Sequence, residues 1–188
     1  MKLKIFSIAL ISLIFLACEG KKQVEVGAIT EIDPSEVVEV ATNMAPGFSF
    51  KSISGEQVSL EDLRGKFVYV DIWATWCRPC LMQIPSLKEV EEKYKGTDIE
   101  FVSISVDNER DKGKWEKMVS EKQLGGLQLY AGSDADFNKN YQISSIPRFL
   151  LIGKEGELID GNAPRPLDHQ TNGVNQGLIS VLDGLIKE

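Results

Sequence analysis

Histidine and cysteine are scarce in this chain of 188 residues, which contains one histidine and three cysteines. So few cysteines exclude a small domain held together by several disulfides. A zinc site would need two more ligands beside a cysteine pair, and the chain has no second Cys-x-x-C pair and only His169. We therefore predict no bound metal, and we interpret His169 as a surface residue of a polar loop.

A basic cluster is also lacking. Lysine and arginine number 21 against 28 aspartates and glutamates, which gives a net charge of −7. A nucleic-acid-binding protein would present a basic face, so this class is excluded. Internal repeats and low-complexity segments are absent from the sequence, and its length suits one domain with a full core.

The apolar run Ile5–Ala17 is shorter than the roughly 20 residues that span a bilayer. Positively charged residues precede this run and Cys18 follows it, an arrangement typical of a secretory signal peptide. Phe15-Leu16-Ala17-Cys18 resembles a bacterial lipobox, in which the cysteine is lipidated and becomes the new N-terminus. We therefore predict a signal peptide over residues 1–17 and a lipid anchor on Cys18 that holds the protein on the cell envelope, facing the periplasm. The alternative is an ordinary cleaved leader in which Cys18 has no role.

Two further segments follow this leader. Residues 18–43 are polar, show no sustained hydrophobic period and are predicted to be a tether. Residues 44–188 alternate strand and helix patterns in the order β-hairpin, βαβ, αβ, α, β-hairpin, α. This order predicts an α/β domain whose central sheet is parallel at its centre and covered by helices on both faces.

Several elements of this domain can be bounded from the pattern. Pro85 lies inside the helix that follows Cys80 and should kink it, because proline removes a backbone hydrogen bond. Asp111–Gln123 is predicted to be helical, and Leu127–Tyr130 and Arg148–Ile152 are predicted to be strands. Asn162–Asn172 is predicted to be a loop and Gly173–Lys187 a closing helix.

The stretch Val68–Cys80 reads as a buried strand that delivers two cysteines to the start of a helix. A Cys-x-x-C pair in this position can form a small disulfide ring and reopen, because the helix N-terminus stabilises a thiolate. We expect Cys77 to be the exposed attacking sulfur and Cys80 the buried resolving sulfur. The alternatives are a metal-binding pair and an inert pair.

One carboxylate, Asp71, interrupts the apolar residues of the same strand. Burial disfavours its charged form, so we expect a raised pKa that suits acid–base work. The alternative is a structural acid bonded to a neighbour. Trp73 is predicted to be a core residue.

The run Val70-Asp71-Ile72-Trp73-Ala74-Thr75-Trp76-Cys77-Arg78-Pro79-Cys80 resembles the active site of the thioredoxin family. Ala45-Pro46-Gly47-Phe48 and the leader extend the resemblance to the membrane-anchored, extracytoplasmic TlpA/ResA-like branch of that family. The resemblance covers about residues 44–188. It implies a thioredoxin fold, a central mixed β-sheet flanked by helices, with an added N-terminal β-hairpin and with Asp111–Gln123 as an inserted helix.

The resemblance also implies roles for single residues. Asp71 matches the buried acid that moves protons to and from the resolving thiol. Pro147 matches a cis-proline that faces the dithiol and leaves the Ile146 backbone free to pair with an extended substrate chain. Trp76 matches an aromatic residue of the docking surface beside the nucleophile. ResA-like proteins often carry a glutamate where this chain has Gln83, so we expect a second titrating acid near the site to be missing.

These implications favour a thiol-disulfide oxidoreductase that exchanges disulfides with envelope proteins through Cys77 and needs no bound cofactor. Anchored relatives usually act as reductants, so we expect an upstream membrane or periplasmic thiol-disulfide donor to supply its electrons. One alternative is a thiol peroxidase, although Thr75 lies two residues before Cys77 rather than the three typical of peroxiredoxins. The other alternative is a non-catalytic, tethered peptide-binding module.

Overall fold

The computed structural model describes residues 44–187 of the chain. The predicted signal peptide, the lipidation site Cys18 and the tether over residues 18–43 lie outside the described residues and stay predictions. No helix within the described range is long and apolar enough to cross a membrane.

A mixed sheet of seven strands forms the centre of the fold, with helices packed against it. The strands are β1 (Ser49–Ser52), β2 (Gln57–Ser59), β3 (Phe67–Trp73), β4 (Ile99–Ser105), β5 (Leu127–Tyr130), β6 (Arg148–Ile152) and β7 (Leu158–Asp160). Their order across the sheet is β2-β1-β5-β4-β3-β6-β7. Strands β3, β4 and β5 run parallel to one another, and the outer pairs are antiparallel. The predicted α/β class and central mixed sheet are confirmed.

The helices and two shorter strands complete the described part of the chain. The α-helices are α1 (Arg78–Leu81), α2 (Ile84–Lys93), α3 (Lys112–Glu121), α4 (Ala135–Asn140) and α5 (Gln176–Leu185). Single turns of 3-10 helix cover Glu61–Leu63 and Glu109–Asp111, and a separate two-stranded sheet joins β8 (Leu167–Asp168) to β9 (Gly173–Val174).

Strand β3 is buried over its whole length, and its side chains alternate between two cores. Val68, Val70 and Ile72 pack on one face with Phe137 of α4. Tyr69 points to the other face, where residues of α2 and α5 cover it. Because both faces of this strand are covered, its position is fixed, and the turn that leads from it to Cys77 starts from a fixed point.

The N-terminal hairpin β1–β2 extends the sheet beyond β5, as the resemblance implied. Ser49 to Lys51 pair with Ser59 to Gln57, and β1 also pairs with Tyr130 and Leu129 of β5. Gly55 adopts a φ of +91° in the connecting turn, a conformation that glycine reaches without steric cost.

The predicted kink at Pro85 is present as a complete break between α1 and α2. Pro85 occupies the first turn of α2, where its missing N–H group would have no partner within the helix. The first segment, which carries the cysteine pair, is therefore a short helix of its own.

Two predicted bounds near the C-terminus are wrong. The closing helix begins at Gln176 rather than Gly173, because the side chain of Asn175 accepts a hydrogen bond from the Gly177 N–H at 2.8 Å and caps the helix there. Gly173–Val174 pairs instead with Leu167–Asp168, so the segment predicted as a loop contributes a strand. The φ of +57° at Asn172 turns the chain between these two strands.

Candidate active site

The cysteine pair lies directly after β3, at the start of α1, and its two sulfurs form a disulfide with an S–S distance of 2.04 Å. Cys77 is the N-cap of α1 and Cys80 lies inside its single turn. The pair packs against Trp115 and Val119 of α3, the predicted inserted helix. The cysteines are therefore placed for reversible disulfide chemistry on a preformed apolar base.

Cys80 is buried as expected, but the expectation that Cys77 is exposed is wrong for this disulfide form. The exposed fractions are 4% and 3%, because both residues pack in one cluster with Trp73 and Trp115. The two sulfurs differ instead in hydrogen bonding, since the Cys80 N–H donates to Cys77 Sγ at 3.2 Å. Such a donor stabilises negative charge on the first sulfur when the bond is open.

Asp107 fixes the turn that precedes Cys77, and sequence reasoning missed this residue. Its two carboxylate oxygens accept hydrogen bonds from the Thr75 N–H at 3.1 and 3.0 Å. They also accept from the hydroxyls of Thr75 at 2.7 Å and Ser105 at 2.8 Å. An acid two residues after the end of β4 was the available signal, because the carboxyl ends of the parallel strands β3 and β4 meet at one edge of the sheet.

Asp71 is buried in the middle of β3, opposite Ser103 on β4 and Phe149 on β6. Its Oδ1 atom has no hydrogen-bond partner among the residues that the structure describes. Burial, with a smaller contribution from the negative charge of Glu91, raises the pKa of Asp71 to about 8. The predicted burial and raised pKa are therefore confirmed, and Asp71 lines the same small cavity as Cys80.

The expectation that a second titrating acid is missing near the site is wrong. Gln83 is buried, and its Oε1 atom accepts a hydrogen bond from the Leu167 N–H at 3.0 Å, so it has a structural contact. The second acid is Glu91 on α2, which lines the cavity with Asp71 and Cys80. Burial raises the pKa of Glu91 to about 7, although the positive charge of Lys88 opposes this shift. Its position next to Val90, at the border of the apolar face of α2, was the only signal in the sequence.

The residues predicted to contact a substrate lie around the disulfide. Trp76, directly before Cys77, has an exposed fraction of 64%, whereas Trp73 is a core residue as predicted. Ile146 packs against the cluster that contains both cysteines, and the peptide bond between Ile146 and Pro147 is cis. Trp76 is thus exposed beside the disulfide, Ile146 is half-buried against the cysteine cluster and Pro147 is buried, and their role in substrate binding stays a prediction.

An open groove of about 420 Å³ continues this surface from Trp76 along α3. Met118 supplies an apolar patch in the groove, and Lys114, Lys117 and Lys122 line it with Asp111 and Glu121. Lys114 forms an ion pair with Asp111 at 2.5 Å. The inserted helix thus forms one wall beside the disulfide. His169 is exposed, as predicted.

Comparisons with known proteins agree with this geometry. Residues 65–158 match the sequence profile of a family described as thioredoxin-like. This segment begins just before β3, ends at the first residue of β7 and contains both cysteines, Asp71 and Pro147.

Curated relatives are similar over the same region. The chain is 28% identical over 116 residues to the thiol-disulfide oxidoreductase ResA of Bacillus cereus, a match that covers 62% of this chain and 65% of that protein. It is 28% identical over 118 residues to ResA of Bacillus subtilis, covering 61% of this chain and 63% of that protein. The match thus spans less than two thirds of the length of these relatives.

Solved structures show the same fold. The solution structure of a proposed thiol-disulfide oxidoreductase from Bacteroides vulgatus is 47% identical, with a TM-score of 0.63, and covers 74% of this chain and 88% of that one. A crystal structure of another such protein from Bacteroides vulgatus is 28% identical, with a TM-score of 0.65, and covers 76% of this chain and 94% of that one.

Proposed function

The chain belongs to the thioredoxin-like family, and on this premise we propose that it is a protein thiol-disulfide oxidoreductase that acts through Cys77 and Cys80. The observation that supports this best is the disulfide at the end of β3, with the buried carboxylate of Asp71 in the same cavity as Cys80. The similarity to ResA proteins, which carry that activity in their names, supports the same proposal. No bound cofactor is needed for this chemistry.

In the reducing direction, the Cys77 thiolate attacks a partner disulfide and forms a mixed disulfide. The partner's other sulfur leaves as a thiolate and takes a proton from water. Cys80 then gives its thiol proton to Asp71 and attacks Cys77 Sγ as a thiolate. The bond to the partner breaks, the Cys77–Cys80 disulfide forms, and the second partner sulfur leaves as a thiolate that takes a proton from water. Two electrons have passed from the protein dithiol to the partner.

The test of this activity is the reduction of a protein disulfide by the reduced protein. The double variant Cys77→Ser, Cys80→Ser should lose the activity entirely. Retention of full activity by the double variant would instead favour a non-catalytic binding module. The peroxidase alternative has less support, because the Thr75 hydroxyl donates to Asp107. Peroxide consumption without any protein substrate would support the peroxidase alternative.

The direction of exchange that we propose is reduction of partner disulfides, with an upstream membrane or periplasmic thiol-disulfide donor that restores the dithiol. The reduction potential of the Cys77–Cys80 pair tests this direction, and it is measured by equilibrating the protein with glutathione. A potential near about −270 mV or below supports a reductant, and one near about −120 mV supports an oxidant.

The location that we propose is the bacterial cell envelope, with the domain facing the periplasm on a lipid attached to Cys18. The support is the apolar leader and its lipobox-like end, Phe15-Leu16-Ala17-Cys18. A Cys18→Ser protein should leave the membrane fraction and appear in the soluble fraction. Continued partition of this variant with membranes would contradict the anchor.

The substrate surface that we propose consists of Trp76, Ile146 and Pro147. An extended segment of a partner protein would pair with the backbone at Ile146 and contact the exposed face of Trp76. The position of both residues beside the disulfide supports this role.

A further inference from the structure

A small cavity of about 10 Å³ lies next to Cys80, between β3, α2 and the loop before β5. Its volume is close to the minimum that holds one water molecule. Three of its lining residues carry buried polar atoms without a partner among the described residues, namely Asp71 Oδ1, Trp73 Nε1 and Gln128 Oε1. Since unpaired buried polar atoms are costly, this cavity is suited to an ordered water that bridges them.

Glu91 lies at the boundary between this cavity and solvent. Together with Lys88 and Gly125, it lines both the cavity and an open groove of about 380 Å³ on the outer side. The groove also contains Glu92 and Lys95. Glu91 therefore lies where a proton could pass from the cavity to solvent.

Glycine at positions 125 and 126 leaves the space that the Glu91 carboxylate occupies. A Cβ atom at Gly125 would lie 2.4 Å from Oε2, and one at Gly126 would lie 3.2 Å from Oε1. The Lys88 ammonium donates to the Lys122 carbonyl oxygen across the same opening. The carboxylate is thus held against the loop by the shape of the backbone.

Disulfide exchange needs such a path. When Asp71 accepts the proton of Cys80, it becomes a neutral acid in a strand that is buried over its whole length. With a pKa of about 8, Asp71 carries a proton in most molecules at neutral pH, and this proton must leave before Asp71 can take another from Cys80. The cavity with Glu91 offers a route for it to solvent. The titratable groups along the route are Cys80 and Asp71 inside, Lys88 and Glu91 at the boundary, and Glu92 and Lys95 outside.

We propose that Glu91 relays protons between Asp71 and solvent through this cavity and thereby speeds the exchange reaction of Cys80. This inference rests on the proposed function. Each step moves one proton: Cys80 gives it to Asp71, Asp71 passes it through the cavity to Glu91, and Glu91 releases it to water in the outer groove. The similar pKa values of Asp71 and Glu91, about 8 and about 7, make the transfer between them nearly neutral in free energy.

The test is the pH dependence of one turnover. Reduced protein is mixed with oxidised glutathione, and closure of the Cys77–Cys80 disulfide is followed by tryptophan fluorescence from pH 5 to pH 9. Glu91→Gln keeps the size of the side chain but cannot titrate, and should slow closure by about tenfold near pH 7, less than the loss of a direct acid–base group. Its rate profile should also lose one ionisation. Glu89→Gln, an exposed residue of the same helix, is the matched control and should overlay the wild type.

A second variant, Gly125→Ala, displaces the Glu91 carboxylate without removing it and should slow closure in the same pH range. In addition, the carboxyl carbon resonance of Asp71 should titrate at lower pH in Glu91→Gln, because a neighbouring negative charge is gone. Profiles of Glu91→Gln and Gly125→Ala that overlay the wild type would overturn the relay and leave the oxidoreductase proposal intact. A wild type that does not exchange with any disulfide would instead overturn the proposed function itself.

Discussion

Replacing Asp71 with asparagine should make the oxidised protein more stable at alkaline pH, although it removes the residue proposed to serve the chemistry. Asp71 lies in β3, which is buried over its whole length, and one carboxylate oxygen of Asp71 has no partner in the described part of the chain. Ionisation in this position costs free energy that the unfolded chain does not pay. Asparagine has nearly the same shape and no charge, so this cost disappears.

The size of the effect follows from the pKa difference between the two states. The pKa of Asp71 is about 8 in the folded protein and 3.8 when it is unperturbed. At roughly 1.4 kcal/mol per pKa unit, this difference corresponds to about 6 kcal/mol. Relaxation and water entry reduce such penalties in real proteins, so we take this value as an upper limit and expect at least about 2 kcal/mol.

The sign of the pH dependence follows from proton binding. Between about pH 4 and pH 8 the folded protein keeps a proton on Asp71 that the unfolded chain has released. The stabilisation of the folded state is therefore complete below pH 4, and it is lost as the pH rises towards 8. The free energy of unfolding of the wild type should decrease through this window, and that of Asp71→Asn should decrease less.

Urea denaturation of the oxidised protein at each pH unit from 5 to 9, without reductant, measures the difference. The disulfide form is the right one, because its cysteines do not titrate. The matched control is Asp136→Asn, which makes the same change at an exposed position. A stability difference between Asp71→Asn and the wild type that stays constant from pH 5 to pH 9 would refute the raised pKa.

Further predictions concern the dithiol, the docking surface and the turn. A Cys80→Ala variant should accumulate mixed disulfides with partner proteins, visible on a non-reducing gel, whereas Cys77→Ala should accumulate none. Trp76→Ala should change stability by less than about 0.5 kcal/mol but raise the KM for a protein substrate, because this side chain is exposed. Trp115→Ala, a fully buried residue, should instead cost about 3–5 kcal/mol in thermal or urea unfolding. Asp107→Ala should cost about 3 kcal/mol, since it leaves the Thr75 N–H and two hydroxyls without an acceptor, and unchanged stability would show that these bonds contribute little.

The parts of the fold that the sequence predicted best are those with a strong local pattern. The bounds of β5 and β6 match their predictions, because short apolar runs between glycine, proline and polar residues define both. The burial of Asp71 was also predictable, since apolar residues flank it on both sides. In these places local sequence and tertiary packing favour the same structure.

The parts that the sequence did not predict depend on contacts between distant segments. Glu91 reaches the cavity because the loop at Gly125 leaves room for its carboxylate, and its place beside Val90 in the sequence does not indicate this contact. The burial of Cys77 depends on the packing of Trp115 from the inserted helix. Asp107 contacts Thr75 across 32 residues of sequence. Long-range packing, rather than local propensity, decided each of these positions.

The pairing of Met44 with Glu157 fixes the end of the sheet at which the chain enters the described domain. The Ala45 N–H donates to the Gly156 carbonyl at 2.9 Å, in the turn that follows β6. Since Ile152 pairs with Val68, this turn lies beside the first residues of β3, whereas Cys77 follows the last. The chain therefore enters the domain at one pole and presents the dithiol at the other, about 20 Å away along the strand.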